Sequence, residues 1–136
     1  MQSNTYLTFN GNCASALKFY EQNLGAKIEM MMTFGQSPAA DQAPPGWRDK
    51  VMHARLKLGD SILMGSDAPP DRYNEPRGFS VSLSINSPGD AERIFAALAE
   101  GGTVQMPLQQ TFWAARFGTL VDKFGIPWMV NCEQSA

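Results

Sequence analysis

The single histidine of the chain, His53, is the residue best suited to acid–base chemistry. An imidazole titrates near neutral pH and can act as a general acid or a general base. His53 lies in the run 51–58, where apolar residues take every second position from Met52 to Leu58. Because side chains alternate between the faces of a strand, we predict that His53 lies opposite those apolar residues. A catalytic histidine and a hydrogen-bonded structural histidine both agree with this position.

The two cysteines, Cys13 and Cys132, are too few for a disulfide framework and lack the spacing of a metal site. Cys13 precedes a predicted helix, where amide dipoles can lower the pKa of a thiol. A buried, inert thiol is the other interpretation of Cys13, and it is also the one that we favour for Cys132 in the last predicted strand. Neither cysteine predicts a Cys–His catalytic pair.

Three tryptophans offer flat surfaces on which a ligand could stack. Trp113 immediately precedes a predicted strand, so we place it at the rim of a cavity. Trp47 lies in a long loop and is a second candidate. Trp128 alternates with Met129 along the last predicted strand and is expected to pack under a helix.

Composition indicates one globular domain. The 136 residues are 43% hydrophobic and 18% charged with a net charge of −2, which argues against disorder. No basic run is present, so we expect no nucleic-acid partner. No apolar run approaches the roughly 20 residues of a membrane span, and the first residues lack a signal-peptide pattern. We therefore predict a cytoplasmic, reduced protein without a membrane partner.

The first half of the chain predicts the order strand, helix, strand, strand, strand. Strand formers fill residues 3–9, and apolar residues then recur at helical spacing from Ala14 to Leu24 before Gly25. A Pro-rich loop, residues 35–50, has a length that is uncommon unless the loop is functional. The remaining predicted strands are 26–34, 51–58 and 61–66, the last two joined by a Gly59-Asp60 turn.

The second half repeats that order. The helix begins after Ser87, with Pro88 in its first position, and the strands are 79–85, 103–108, 114–121 and 126–132. A displacement of 76 residues brings Phe19 onto Phe95. We therefore predict two βαβββ modules, residues 1–66 and 78–136, joined by the connector 67–77 within one domain, 1–136.

Short motifs accompany the duplication: LKFYEQNLG at residues 17–25, VMHARL at 51–56 and DKFGIPW at 122–128. Together they resemble the vicinal oxygen chelate superfamily (glyoxalase I, extradiol dioxygenases, fosfomycin- and bleomycin-resistance proteins), and its PhnB-like branch in particular. The resemblance implies an α+β fold. In it, two βαβββ modules form a cupped, mostly antiparallel eight-stranded sheet, with the helices outside and a small-molecule site in the concavity.

The resemblance also implies where a metal would bind. Metal-dependent members hold a divalent ion with four His, Gln or Glu side chains, from the first and fourth strands of each module. In this chain those positions fall on Thr5, Met64, Ser80 and Met129. Hydroxyls and thioethers are not the carboxylate or imidazole ligands that such ions prefer, although thioethers suit Cu(I). We therefore expect no metal and no cofactor.

On this resemblance we expect a homodimer that binds a small molecule in a concave cavity, as drug-sequestering resistance members do. The cavity would be lined by Thr5, Leu7, Met64, Ser80, Trp113 and Met129, with His53 as the candidate catalytic group. The alternative is a glyoxalase-like enzyme of lyase, isomerase or dioxygenase type, using His53 or metal ligands at other positions. Methyl transfer is not expected, because the sequence has no glycine-rich turn for S-adenosylmethionine.

Overall fold

The computed structural model describes residues 1–134, which form two compact units, Met1–Asn74 and the segment from Glu75 onward. Each unit contains one long helix and one four-stranded sheet, in the order βαβββ. The α+β class and the duplication predicted from the sequence are therefore confirmed. The eight strands are divided equally between two sheets.

The first unit orders its strands β1-β4-β3-β2, with β1 parallel to β4 and the other pairs antiparallel. Helix α1 forms because apolar side chains on one side, including Leu17 and Tyr20, are buried. It ends at Gly25, whose φ of 68° suits glycine. The elements are β1 (Thr5–Phe9), α1 (Cys13–Leu24), β2 (Lys27–Thr33), β3 (Val51–Leu58) and β4 (Ser61–Asp67).

One face of this sheet packs on α1. A Cβ at Gly65 would lie 3.2 Å from the Phe9 ring and 3.4 Å from Sγ of Cys13, which belongs to α1. We call this surface the helix face of the sheet and the opposite surface its distal face. Buried apolar side chains from three strands fill the helix face: Leu7, Phe9, Ala54, Leu56 and Leu63.

The second unit orders its strands β5-β8-β7-β6, again with one parallel pair, β5 and β8. Helix α2 begins as predicted, since Oγ of Ser87 accepts a hydrogen bond from the Asp90 amide at 3.1 Å and Pro88 takes the first position. The elements are β5 (Val81–Ser84), α2 (Pro88–Ala99), β6 (Thr103–Gln109), β7 (Ala114–Val121) and β8 (Pro127–Glu133).

The long loop of the first unit contains two short 3-10 turns, Phe34–Gln36 and Ala40–Gln42. The strand predicted to reach residue 34 therefore ends one residue earlier, because Phe34 opens the first turn. The Trp47 ring packs edge-on against Phe34, with 6.1 Å between ring centroids. No helix within residues 1–134 is long and apolar enough to cross a membrane.

Candidate functional site

Strand register divides the predicted cavity residues of the first unit between two faces. Thr5 pairs with Leu63 and Leu7 with Gly65, so both lie on the helix face, where Leu7 is buried. Met64 instead pairs with Tyr6 on the distal face. The structure therefore does not bring Thr5 and Leu7 together with Met64, because side chains one residue apart on a strand point to opposite faces.

His53 lies on the distal face of the first unit, opposite the buried Ala54 and Leu56 as the alternation predicted. Its Nδ1 is 3.2 Å from the hydroxyl oxygen of Tyr6. The two rings are stacked, with 5.8 Å between centroids and 22° between planes. Sequence reasoning missed Tyr6, since only the strand order brings β1 within reach of β3.

This pair has a definite chemical capacity. A phenol hydroxyl can donate to an unprotonated imidazole nitrogen, and the other ring nitrogen then carries the proton. With Tyr6 donating to Nδ1, Nε2 of His53 would present a hydrogen-bond donor to a ligand. The same imidazole could also move a proton in a reaction.

The second unit brings two predicted site residues together. Ser80, just before β5, and Met129 of β8 both line an open groove of about 590 Å³. Glu75, Arg77 and Gln105 add polar groups, and Phe79 and Pro127 add apolar surface. The groove therefore combines ionic, hydrogen-bonding and apolar chemistry.

An aromatic cluster lies farther along the distal face of the second unit, the face away from α2. The face is identified by Gly118, where a Cβ would collide with Phe95 of α2, and Gly118 pairs with Val130. Phe117 and Asn131 form the next pair and therefore point away from α2.

Trp113 belongs to this cluster. Its ring centroid lies 5.4 Å from that of Phe117 and 4.7 Å from that of Phe112. The side chain is half-exposed, whereas Trp128 is fully buried, as expected for a tryptophan that packs under a helix.

Neither cysteine is placed for nucleophilic chemistry. Burial raises the pKa of Cys13 to about 12, and the negative charge of Asp67 adds to the effect. Desolvation penalises the thiolate more than the amide dipoles at the start of α1 favour it, so the structure supports the interpretation of Cys13 as a buried, inert thiol. Both cysteines are buried and carry free thiols.

Two buried carboxylates, Asp67 and Asp122, accept hydrogen bonds from backbone amides. Asp67 accepts the amides of Cys13 at 2.8 Å and Val51 at 2.9 Å. Asp122 organises the turn after β7 by accepting the amides of Phe124 at 2.9 Å and Ile126 at 3.0 Å. Arg116 of β7 reaches Glu92 of α2 at 3.0 Å.

The side chains at the positions where metal-dependent members bind their ion do not suit a hard divalent cation. The side chains that pair on the distal faces at the first and last strands are Tyr6 with Met64, and Ser82 with Met129. They offer hydroxyls and thioethers, and His53 beside Tyr6 adds one imidazole, which is short of the carboxylate and imidazole set that such an ion prefers. Across the described part of the chain, no three His, Cys, Asp or Glu side chains are grouped so that they could hold a metal ion.

Two βαβββ units, each with one sheet face covered by its own helix, define a glyoxalase-type fold. The family model described as Glyoxalase/Bleomycin resistance protein/Dioxygenase superfamily matches residues 2–130, so the chain belongs to this superfamily. The resemblance to the vicinal oxygen chelate superfamily is thereby confirmed.

Three known proteins are similar to this chain in sequence or in fold. Protein YjdN of Escherichia coli (strain K12) is 36% identical over 139 residues, covering 96% of this chain and 95% of that protein. The crystal structure of protein PA1353 from Pseudomonas aeruginosa is 53% identical, covers 99% of each chain and has a TM-score of 0.90. A Bacillus cereus PhnB protein, described as a putative 3-demethylubiquinone-9 3-methyltransferase, shares the fold. It is 24% identical, covers 97% of this chain and 99% of that one, and has a TM-score of 0.82.

Proposed function

We propose that the chain is a glyoxalase-superfamily protein that binds a small molecule on the distal face of its second unit, without a metal ion. The groove that Ser80 and Met129 share carries this proposal. Its volume of about 590 Å³ lies within the range of small-molecule sites, roughly 300–1,000 Å³.

The side chains that line the groove indicate which chemical class of ligand it would bind. Arg77 and Glu75 place opposite charges at the groove, 3.8 Å apart in an exposed ion pair that a charged ligand could open. Met129 has a flexible thioether that adapts to an apolar body. A ligand with an apolar body and a polar or ionised end matches this set.

A thermal-shift screen with metabolites, antibiotics and divalent metals tests the proposal. Met129→Trp would fill the groove, and we expect it to abolish the shift that a hit produces. Met64→Trp is the matched control, because it changes the equivalent strand position of the first unit. A hit that survives Met129→Trp and is lost with Met64→Trp would contradict the assignment to the second unit.

Metal independence has its own test. After loading with Zn, Ni, Mn or Fe and desalting, we expect elemental analysis to find far less than one ion per chain. Near-stoichiometric metal would show that ligands outside the family positions hold it.

A second candidate function rests on the Tyr6–His53 contact. In this alternative the protein is a glyoxalase-like enzyme in which His53 moves a proton. His53→Ala should leave the free energy of unfolding within about 1–2 kcal/mol of wild type and should abolish turnover of any substrate found. Unchanged turnover would exclude this role.

We also propose a homodimer in a reducing, cytoplasmic compartment, consistent with two free buried thiols. Edge strand β6 supports the dimer, since Val104 and Met106 are each more than two-fifths exposed and apolar patches favour association. Light scattering should give twice the chain mass of 14.9 kDa, and Met106→Lys should lower it. A monomer mass at tens of micromolar would contradict the dimer.

A further inference from the structure

We infer that the ligand of the second unit carries a planar aromatic ring with an O–H or N–H donor. The ring would stack against Trp113 and Phe117, and the donor would bind Oδ1 of Asn131. This inference rests on the proposed binding function and names the chemical class of the ligand.

The aromatic cluster is continuous with the groove at Met129. Asn131 follows Met129 by two residues on β8, so both side chains lie on the distal face. Asn131 on β8 pairs directly with Phe117 on the neighbouring strand β7, which brings their side chains within contact range. The aromatic cluster and the Met129 groove therefore share one surface of one sheet.

Asn131 contributes a buried acceptor that has no donor in the part of the chain that the structure describes. Oδ1 of Asn131 is shielded from solvent, and no group within residues 1–134 donates to it. Buried polar atoms nearly always have a hydrogen-bond partner, because an unpaired one loses its hydration without compensation. An amide oxygen only accepts, so it selects a ligand that has a donor.

Trp113 and Phe117 offer a surface on which a ring can stack. Trp113 is 49% exposed although it is a large apolar side chain. Its contact with Phe117 is edge-to-face, with 64° between the ring planes. Offset or edge-to-face packing against a further ring adds to the favourable burial of such a cluster.

A small ring fits these observations better than a broad protein surface does. The acceptor is withdrawn from solvent, whereas Phe112 beside Trp113 is 92% exposed. A single ring that stacks on Trp113 is small enough to direct one donor to Oδ1 of Asn131, once a neighbouring side chain moves to open that atom.

Matched probe pairs test this inference: phenol against anisole, and indole against 1-methylindole. Each pair keeps the ring and removes the donor. Titrations into the ¹⁵N-labelled full chain should shift the Trp113 indole signal and the Asn131 side-chain amide. We expect phenol and indole to bind about tenfold more tightly than their methylated partners, as one hydrogen bond allows.

Variants separate the two contacts. Asn131→Leu should remove the preference within each pair, Asn131→Asp should retain it through its acceptor oxygen, and Trp113→Ala should weaken both members equally. Asn86→Leu, at an exposed asparagine before α2, is the control and should change nothing. Thermal unfolding confirms that each variant is folded. If Asn131→Leu does not fold, Asn131→Asp and Trp113→Ala test the two contacts in its place.

Three results would overturn the inference: equal affinity within each pair in the wild type, shifts confined to other residues, or an unchanged preference in Asn131→Leu. If the probes fail while a screening hit is still lost in Met129→Trp, only the ligand class is wrong. If the probes fail and no screening hit depends on Met129, the proposed function is refuted as well.

Discussion

The hydroxyl of Tyr6 and Nδ1 of His53 meet at 3.2 Å across an intervening strand, and their rings stack. Strand β4 lies between β1 and β3, so this contact spans two strand spacings. Large rings bridge that gap where smaller side chains would not. The pair thus fixes the orientation of the only imidazole in the chain.

The tautomer of His53 should depend on Tyr6. Because a phenol hydroxyl that donates to Nδ1 leaves the proton on Nε2, we expect the Nε2–H tautomer to dominate in the neutral imidazole. Tyr6→Phe should increase the Nδ1–H population, as read from ¹⁵N chemical shifts of the ring. Tyr73→Phe, in the connector, should leave the shifts unchanged. Identical tautomer populations in wild type and Tyr6→Phe would contradict the hydrogen bond.

The carboxylate of Asp122 should be a large contributor to stability in the second unit. It is buried and accepts three hydrogen bonds, from the amides of Phe124 at 2.9 Å and Ile126 at 3.0 Å and from Nε1 of Trp128 at 2.8 Å. Asp122→Ala removes the acceptor of these three hydrogen bonds, so we expect a loss of about 3 kcal/mol or more in the free energy of unfolding.

Denaturant unfolding measures that loss. Asp60→Asn is the matched control, since Asp60 is exposed in the tight turn before β4, and its effect should stay within about 0.5 kcal/mol. A similar small effect of Asp122→Ala would show that water replaces the carboxylate without penalty.

Local patterns in the sequence predicted most of the fold. The alternation of apolar residues along 51–58, the Ser87-Pro88 helix start and the repeated order of elements all appear in the structure. These signals are strong because each depends on residues close together in the chain. Strand ends moved by one or two residues, as at Phe34, where a 3-10 turn replaced the predicted last strand residue.

The candidate site was less predictable, because it depends on register between distant strands. Counting along the chain placed Thr5 beside Met64, whereas the parallel pairing of β1 and β4 places Tyr6 there. A shift of one residue reverses the face of a side chain. Asn131 gave no signal in the sequence, since only its pairing with Phe117 brings it to the aromatic cluster.

The close approach of α2 to its sheet requires glycine at position 118. A Cβ there would lie 2.8 Å from the Phe95 ring and 2.9 Å from Cα of Leu108. Gly118→Ala should therefore cost about 1–3 kcal/mol of unfolding free energy, as overpacking does. At Gly89 in α2, a Cβ would meet nothing within 4 Å, so Gly89→Ala should be neutral or slightly stabilising. Equal effects of the two substitutions on the thermal midpoint would refute the packing argument.

The thiol of Cys13 should make stability fall at high pH. Its pKa is about 12 in the folded chain against an ordinary value of 9.0, so the unfolded chain loses this proton first. Below pH 9 both states are protonated and the effect is absent. Between pH 9 and 12 the free energy of unfolding should fall by at most about 1.4 kcal/mol per pH unit. Cys13→Ser does not titrate in this range, so the stability of wild type relative to this variant, from urea unfolding, should decline as pH rises. A constant difference would show that the thiolate forms equally well in both states.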